Sequence, residues 1–177
     1  MSLELHKVLL VLSIAHSALV RAGLECRIES ISKVFGDNET LFEFNFRVIG
    51  RQRLLNGTLN FHVDLDDDYE MSNEVLALKD GEWESTSVSA RFKTCKYMAV
   101  IYDKYFAVSF KDSNIPKGTE ACPIKKGEYY ARNVEVIADN WAHYAKLGLV
   151  RSNMLVRKNN VVYGGFDIVL VLSQKIV

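Results

Sequence analysis

The sequence is poor in the residues that interrupt a domain. Only two prolines, Pro116 and Pro123, occur among 177 residues, and both flank one loop. Repeats, proline-rich linkers and low-complexity tracts are also missing, so one continuous domain is expected. Basic and acidic residues balance at 22 each. Because no basic stripe is present to displace counterions from phosphates, nucleic acid is not an expected partner.

Groups suited to catalysis are scarce as well. Of the four histidines, only His62 and His143 lie beyond the N-terminal segment discussed below. There is no His-x-x-x-His pair, glycine-rich phosphate loop or nucleophile elbow. The acidic run Asp64–Asp68 lacks the central glycine and closing glutamate of a calcium loop, and predicts a solvated turn instead. We therefore expect no enzyme, no cofactor and no metal site.

No apolar run reaches the roughly 20 residues that a bilayer span needs. Lys7 precedes a short apolar stretch, Val8–Ala15, and small residues stand at Val20 and Ala22. This pattern predicts a cleaved secretory signal peptide over residues 1–22, followed by a single domain over residues 23–177. The expected product is a secreted, extracellular protein without stable membrane insertion.

The cysteine count is odd, at three: Cys26, Cys95 and Cys122. In an oxidising compartment two of them should pair, and the sequence alone allows three pairings. Asn38 and Asn56 each begin an Asn-x-Thr acceptor pattern for N-linked glycans. We expect both side chains to be exposed and at least one to be glycosylated, since a glycan cannot be buried.

Alternation of apolar and polar residues predicts most of the domain to be β-sheet. Phe42, Phe44, Phe46 and Val48 share one face of a strand, and Leu59, Phe61, Val63 and Leu65 share one face of the next. A final hairpin is predicted to turn at Lys158-Asn159-Asn160, because asparagine tolerates left-handed backbone. Gly164-Gly165 indicates a bulge or a close backbone approach in its second strand. The other predicted strands begin at Cys26 or cover Asn73–Leu78, Glu128–Ile137, Leu147–Arg157 and Val161–Ser173.

The middle of the chain changes period. Apolar residues recur in steps of three and four at Cys95, Ala99, Tyr102, Phe106 and Phe110, which favours a helix. Thr94 is the expected N-cap, and the helix should end before Pro116. The competing interpretation is a strand through residues 99–109. The predicted fold is mainly β, a β-cup or β-sandwich of about seven to eight antiparallel strands with one helix.

Many aromatic residues fall on predicted inward faces. Such residues either fill a packed core or line a cavity between splayed sheets, and periodicity cannot separate the two. The phenylalanines concerned are Phe42, Phe44, Phe46, Phe61, Phe106, Phe110 and Phe166.

Three short stretches carry a family resemblance by their order and spacing. They are Phe92–Met98 (Phe-Lys-Thr-Cys-Lys-Tyr-Met), Asn114-Ile115-Pro116 and Ala121-Cys122-Pro123-Ile124. With Leu59–Tyr69, they resemble the secreted insect chemosensory proteins of the CheA/CheB type. That group is in turn similar to the ganglioside activator protein, through Cys122–Tyr129, and more loosely to lipid-recognition domains of the myeloid-differentiation type.

The resemblance implies a pairing for the cysteines. The family-like order Cys-Lys-Tyr followed by Cys-Pro pairs Cys95 with Cys122. Many relatives carry a second early cysteine, whereas Leu41–Phe46 has none here. Cys26 is therefore expected to stay unpaired.

The resemblance also implies a function: non-enzymatic binding of a lipid or other hydrophobic chemosensory ligand in an apolar cavity. The alternative is a secreted interaction module with a filled core that binds a receptor or partner protein. An unrecognised hydrolase is a third alternative. Tryptophan suits the rim of a cavity. The expected ligand-binding residues are Phe44, Phe46, Phe61, Val63, Tyr102, Phe106, Phe166 and Ile168, with Trp83 and Trp141 near the mouth.

Overall fold

The computed structural model describes residues 23–118, 121–141 and 145–175. The predicted signal peptide, residues 1–22, and His143 lie outside the described residues. No helix in the described part of the chain is long and apolar enough to cross a membrane.

Nine strands and one helix make up the described chain. The helix, α1, begins as an α-helical turn, Thr94–Tyr97, and continues as a π-helix, Met98–Phe106. A short 3-10 turn follows at Asp139–Trp141. The strands are β1 Leu24–Val34, β2 Phe42–Ile49, β3 Leu54–Phe61, β4 Glu70–Lys79, β5 Glu82–Ser85, β6 Ala90–Lys93, β7 Gly127–Val134, β8 Gly148–Lys158 and β9 Val161–Gln174.

The strands form two antiparallel sheets of unequal width. The larger sheet has the order β1-β9-β8-β4, and both β5 and β6 pair with the remaining edge of β4. The smaller sheet has the order β2-β3-β7. The predicted β-sandwich with one helix is therefore confirmed. Because the smaller sheet has only three strands, α1 and the loop after it pack against part of the same core.

Alternation explains the pairing of β2 with β3. Phe42 lies opposite Phe61 and Phe44 opposite Leu59, so the apolar faces of both strands point the same way. A shift by one residue would turn these side chains into water, which fixes the register. Phe42 is fully buried, and Phe44, Leu59 and Phe61 are nearly so.

The β8–β9 hairpin turns at Asn159 and Asn160 as predicted, whereas Lys158, also predicted to lie in the turn, is the last residue of β8. Asn159 and Asn160 both adopt left-handed backbone, with φ of 52° and 66°. The predicted close approach is also found: a Cβ on Gly164 would lie 1.9 Å from the carbonyl oxygen of Phe42. This glycine brings β9 of the larger sheet against β2 of the smaller one.

The helix differs from its prediction in three respects. Thr94 is the first helical residue rather than the N-cap, and Asp67 Oδ1 accepts a hydrogen bond from the Cys95 N–H at 2.8 Å instead. The helix ends at Phe106. Ala99 is exposed, because the π-helical hydrogen bond spans five residues and moves the buried face off the α-helical stripe. The competing prediction of a strand over residues 99–109 is wrong.

Two strands were not predicted. β5 and β6 have four residues each, and every residue of β5 is exposed. Strands this short, at the edge of a sheet, show too little alternation to be recognised from sequence.

Candidate functional site

The buried apolar residues of the described chain form three clusters. The first lies under α1 and includes Phe44, Met71, Tyr102 and Met154. The second is built around Ile28, Leu55, Ile168 and Leu170. The third joins the start of β1 to the start of β8 and includes Leu24, Val150 and Leu172.

Three aromatic side chains connect the first two clusters. Phe46, Phe110 and Phe166 pack against both, and each keeps part of its surface accessible. Phe166 lies on β9, which is flanked on both sides by β1 and β8, and its ring contacts Phe46 at 5.7 Å between centroids. A side chain on the inner face of a central strand is normally sealed, so the partial exposure of Phe166 sets this position apart.

A polar pair continues the same inner face. The Ser152 hydroxyl donates to Asn73 Oδ1 at 2.5 Å. Asn73 shares a face of β4 with the buried Met71, and Ser152 shares a face of β8 with the buried Met154. Ser152 also lies opposite Ile168 of β9, two residues from Phe166. We call Phe46, Phe110, Phe166, Asn73 and Ser152 together the inner gap.

Tyr102, on the π-helical part of α1, borders the inner gap. Its ring packs against Phe110 with centroids 6.1 Å apart, and the residue is only 9% exposed. Its hydroxyl has no hydrogen-bond partner within the described chain. Burial, aided by the negative charge of Asp103, raises the pKa of Tyr102 above its usual range, so the hydroxyl stays protonated.

The other predicted ligand-binding residues take different positions. Phe44, Phe61 and Ile168 are buried within the clusters, and Val63 is half-buried against the first. The Phe44 ring contacts both Phe61 and Phe166.

The two tryptophans do not meet. Trp141 is half-buried, stacks edge-on against Phe106 at 5.7 Å, and donates from Nε1 to the Tyr105 carbonyl. Trp83 instead lies on the edge strand β5, where it pairs with Leu78 outside all three clusters. Trp83 is held there by the pairing of β5, a strand that was not predicted, with β4.

Asn73, Ser152 and Phe110 are not among the ligand-binding residues expected from the sequence. The available signal was the polarity of Asn73 and Ser152, since each stands at an inward position of an alternating strand. Polar residues at such positions are uncommon in a packed core.

The predicted disulfide is confirmed between Cys95 and Cys122. It joins the first turn of α1 to the loop before β7. Asp67 lies beside both sulfur atoms, but sulfurs joined to each other cannot act as thiolate ligands for a metal. Cys26 is free and partly buried, and desolvation raises the pKa of its thiol to about 12. The thiolate form, which is the nucleophile, is therefore strongly disfavoured.

The carboxylates of the acidic turn form ion pairs and cap the helix. Asp64 contacts Lys125 and Asp68 contacts Lys158, both at 2.9 Å, while Asp67 caps α1. These roles agree with a solvated, structural turn.

His62 is exposed, as predicted from its position in the strand, and its Nε2 lies 2.9 Å from Glu43 Oε1. Lys33 contacts the other oxygen of Glu43, also at 2.9 Å. These bonds, the one from Lys33 above all, lower the pKa of Glu43 to about 2.

The two glycan acceptor sites differ in exposure. Asn38 is exposed between β1 and β2. Asn56 is half-buried on β3, and its Oδ1 accepts a hydrogen bond from the Asn133 N–H. The exposure expected for Asn56 is thus only partial, though its side chain is not sealed in the core.

The central part of the chain matches a family of known proteins. Residues 72–150 match a family described as "Protein of unknown function (DUF1091)". The match runs from β4, through α1 and the disulfide, to the first residues of β8. It includes Asn73 and Tyr102 and assigns no activity to them. No curated protein matches the chain.

Proposed function

We propose that the protein is a secreted, non-enzymatic binder of a lipid or other hydrophobic ligand, which lies in the inner gap. The observation that carries the proposal is the accessible surface kept by Phe46, Phe110 and Phe166 at inward positions between the clusters. All five side chains of the gap are uncharged, which suits an apolar ligand. An acyl chain gains about 0.8 kcal/mol per buried methylene, so ten methylenes supply roughly 8 kcal/mol before ordering costs.

Secretion is part of the proposal. The disulfide between Cys95 and Cys122 supports an oxidising compartment. The resemblance to insect chemosensory proteins supports a role in carrying or presenting a chemical signal. Expression in secreting cells should yield a protein whose first residue is Gly23, as measured by mass spectrometry of its N-terminal peptide.

Native mass spectrometry of the secreted protein tests ligand binding directly. We expect a co-purified lipid or other apolar molecule, which denaturation releases. Displacement of a fluorescent fatty acid or sphingolipid then measures affinity.

A matched pair of variants tests the location. Ser152→Phe should fill the inner gap and weaken probe binding at least tenfold while the fold is kept. Val169→Phe is the control, because Val169 lies on the adjacent strand, on the opposite face, with Asp167. If the interior is instead filled, Ser152→Phe overpacks the core and destabilises the protein by about 1–3 kcal/mol, whereas probe binding is absent from the wild type.

An interaction module is the second candidate. Leu78 and Trp83 form an exposed cross-strand pair at the edge of the larger sheet. Aromatic residues are enriched where proteins meet. If the wild type binds no lipid, this edge is the surface to test, by comparing Trp83→Ser with the wild type in cross-linking to receptors on target cells.

A further inference from the structure

Tyr102 carries a hydrogen-bond donor for which the described residues offer no acceptor. Tyr102 is nine-tenths buried, and its hydroxyl has no partner within the described chain. Buried tyrosine hydroxyls usually find an acceptor, since leaving one unpaired in an apolar interior lowers stability. The half-buried Tyr129 does have a partner, for its hydroxyl donates to the Lys125 carbonyl at 2.6 Å.

Tyr102 lies against Phe110, one of the side chains of the inner gap. The π-helical segment of α1 holds the side chain in the first cluster, in contact with Phe110. Phe110 is itself one of the side chains that connect the clusters. An apolar molecule lying along Phe110 would therefore pass beside the Tyr102 ring.

The surroundings of the Tyr102 hydroxyl favour some hydrogen-bond acceptors on a ligand over others. An anion entering this region would lose its hydration, and no favourable charge is contributed by the neighbouring Asp103, which is itself negative. A neutral carbonyl oxygen accepts a hydrogen bond without these penalties. A hydrocarbon has no acceptor atom and would leave the Tyr102 hydroxyl without a hydrogen bond.

We infer that the ligand is a long-chain compound with a neutral carbonyl group, an ester, ketone or aldehyde, whose oxygen accepts a hydrogen bond from the Tyr102 hydroxyl. This inference rests on the proposed function of the inner gap. It assigns Tyr102 the part of a specificity-determining residue, whereas the apolar side chains supply affinity for the chain of the ligand.

Three probes of similar length test the inference: methyl palmitate, octadecane and palmitate. Their competition against a fluorescent lipid is measured with the full secreted protein, freed of co-purified ligand. The wild type should prefer methyl palmitate to octadecane by roughly three- to tenfold, the usual effect of one hydrogen bond, and should bind palmitate more weakly than the ester. Tyr102→Phe should abolish the preference for the ester and leave octadecane unchanged.

Tyr129→Phe is the matched control, since it removes a hydroxyl that already has a partner. It should lower the urea midpoint of the ligand-free protein and keep the preference for the ester. Tyr102→Phe should leave that midpoint unchanged or raise it, because no internal hydrogen bond is lost.

Two failures are distinguishable. If the wild type binds none of the probes, the proposed function itself is wrong. If it binds the ester and the alkane equally, or if Tyr102→Phe keeps the preference for the ester, only the carbonyl inference is overturned. A fall in the urea midpoint of ligand-free Tyr102→Phe to that of Tyr129→Phe also overturns the inference, because the hydroxyl then has an internal partner.

Discussion

At the scale of single residues, Gly164 shows how closely the two sheets approach. Its φ is 141°, and a Cβ would lie 1.9 Å from the Phe42 carbonyl oxygen. We predict that Gly164→Ala destabilises the protein by about 3 kcal/mol or more, through strain and the forced separation of β9 from β2. Urea unfolding measures the change.

Gly50→Ala is the control for backbone strain alone. Gly50 also has a positive φ, 64°, but its Cβ would meet nothing within 4 Å. This substitution should lower the free energy of unfolding by only about 1 kcal/mol. Equal losses for the two variants would contradict a role for the close approach.

Glu43 makes the stability of the protein sensitive to acid. Hydrogen bonds from Lys33 and then His62 lower its pKa from 4.5 to about 2 in the folded protein. The stabilisation is therefore fully present above pH 4.5 and is lost as the pH falls toward 2. Because the pair is partly exposed, we expect a contribution of about 1 kcal/mol.

The measurement is the free energy of unfolding on both sides of this pH window. Glu43→Gln should lower the free energy of unfolding at neutral pH by about 1 kcal/mol. It should also weaken the dependence of this free energy on pH between 4.5 and about 2. Lys33→Met should reproduce part of the effect, since it removes the strongest partner. An unchanged slope in Glu43→Gln would assign the acid sensitivity to other carboxyl groups.

At the scale of elements, the disulfide fixes the start of α1. Cys95 and Cys122 are separated by 27 residues in sequence. In the chain-entropy model, opening a loop of this size costs about 3–4 kcal/mol. We predict this loss in the free energy of unfolding for the double variant Cys95→Ser/Cys122→Ser.

Cys26→Ala is the matched control for this prediction. Its thiol is unpaired, so the substitution should remove less than about 1 kcal/mol and leave the response to reducing agent unchanged. Non-reducing peptide mapping of the wild type should find only the Cys95–Cys122 link. A linkage that includes Cys26 would refute the pairing.

Elements whose pattern is local were predictable from the sequence. Alternation over Phe42–Val48 reveals both the strand and its buried face, and Asn159-Asn160 marks a hairpin because its residues suit left-handed backbone. The π-helical part of α1 was not predictable, since nothing in its composition separates it from an α-helix. Within the described sheet β5 pairs with β4, and a linear pattern does not reveal such a pairing.

The candidate site was predictable in part, for the same reason. Phe46 and Phe166 follow from inward periodicity. Their partial exposure does not, because it depends on how far three clusters from distant segments fill the interior. That the Tyr102 hydroxyl has no partner among the described residues is likewise a property of packing rather than of sequence.

At the scale of the whole molecule, we predict that at least one glycan covers part of the smaller sheet or its adjoining loop. Asn38 is exposed, and Asn56 is half-buried on β3 with its Oδ1 accepting a hydrogen bond from the Asn133 N–H. Enzymatic deglycosylation of the secreted protein should lower its mass. Asn38→Gln and Asn56→Gln assign the site, and an unshifted mass in the wild type would contradict glycosylation of both.

The pairing of β1 with β9 has a consequence for how the chain folds as it is made. Leu24 lies opposite Gln174, so the first and last described strands are neighbours in the larger sheet. During synthesis, nearly the whole domain is made after β1 before its partner strand β9 is available for pairing. Contacts between such distant segments slow folding and leave an edge unpaired meanwhile. A nascent chain held short of β9 would present the apolar face of β1 to chaperones until the last strand arrives.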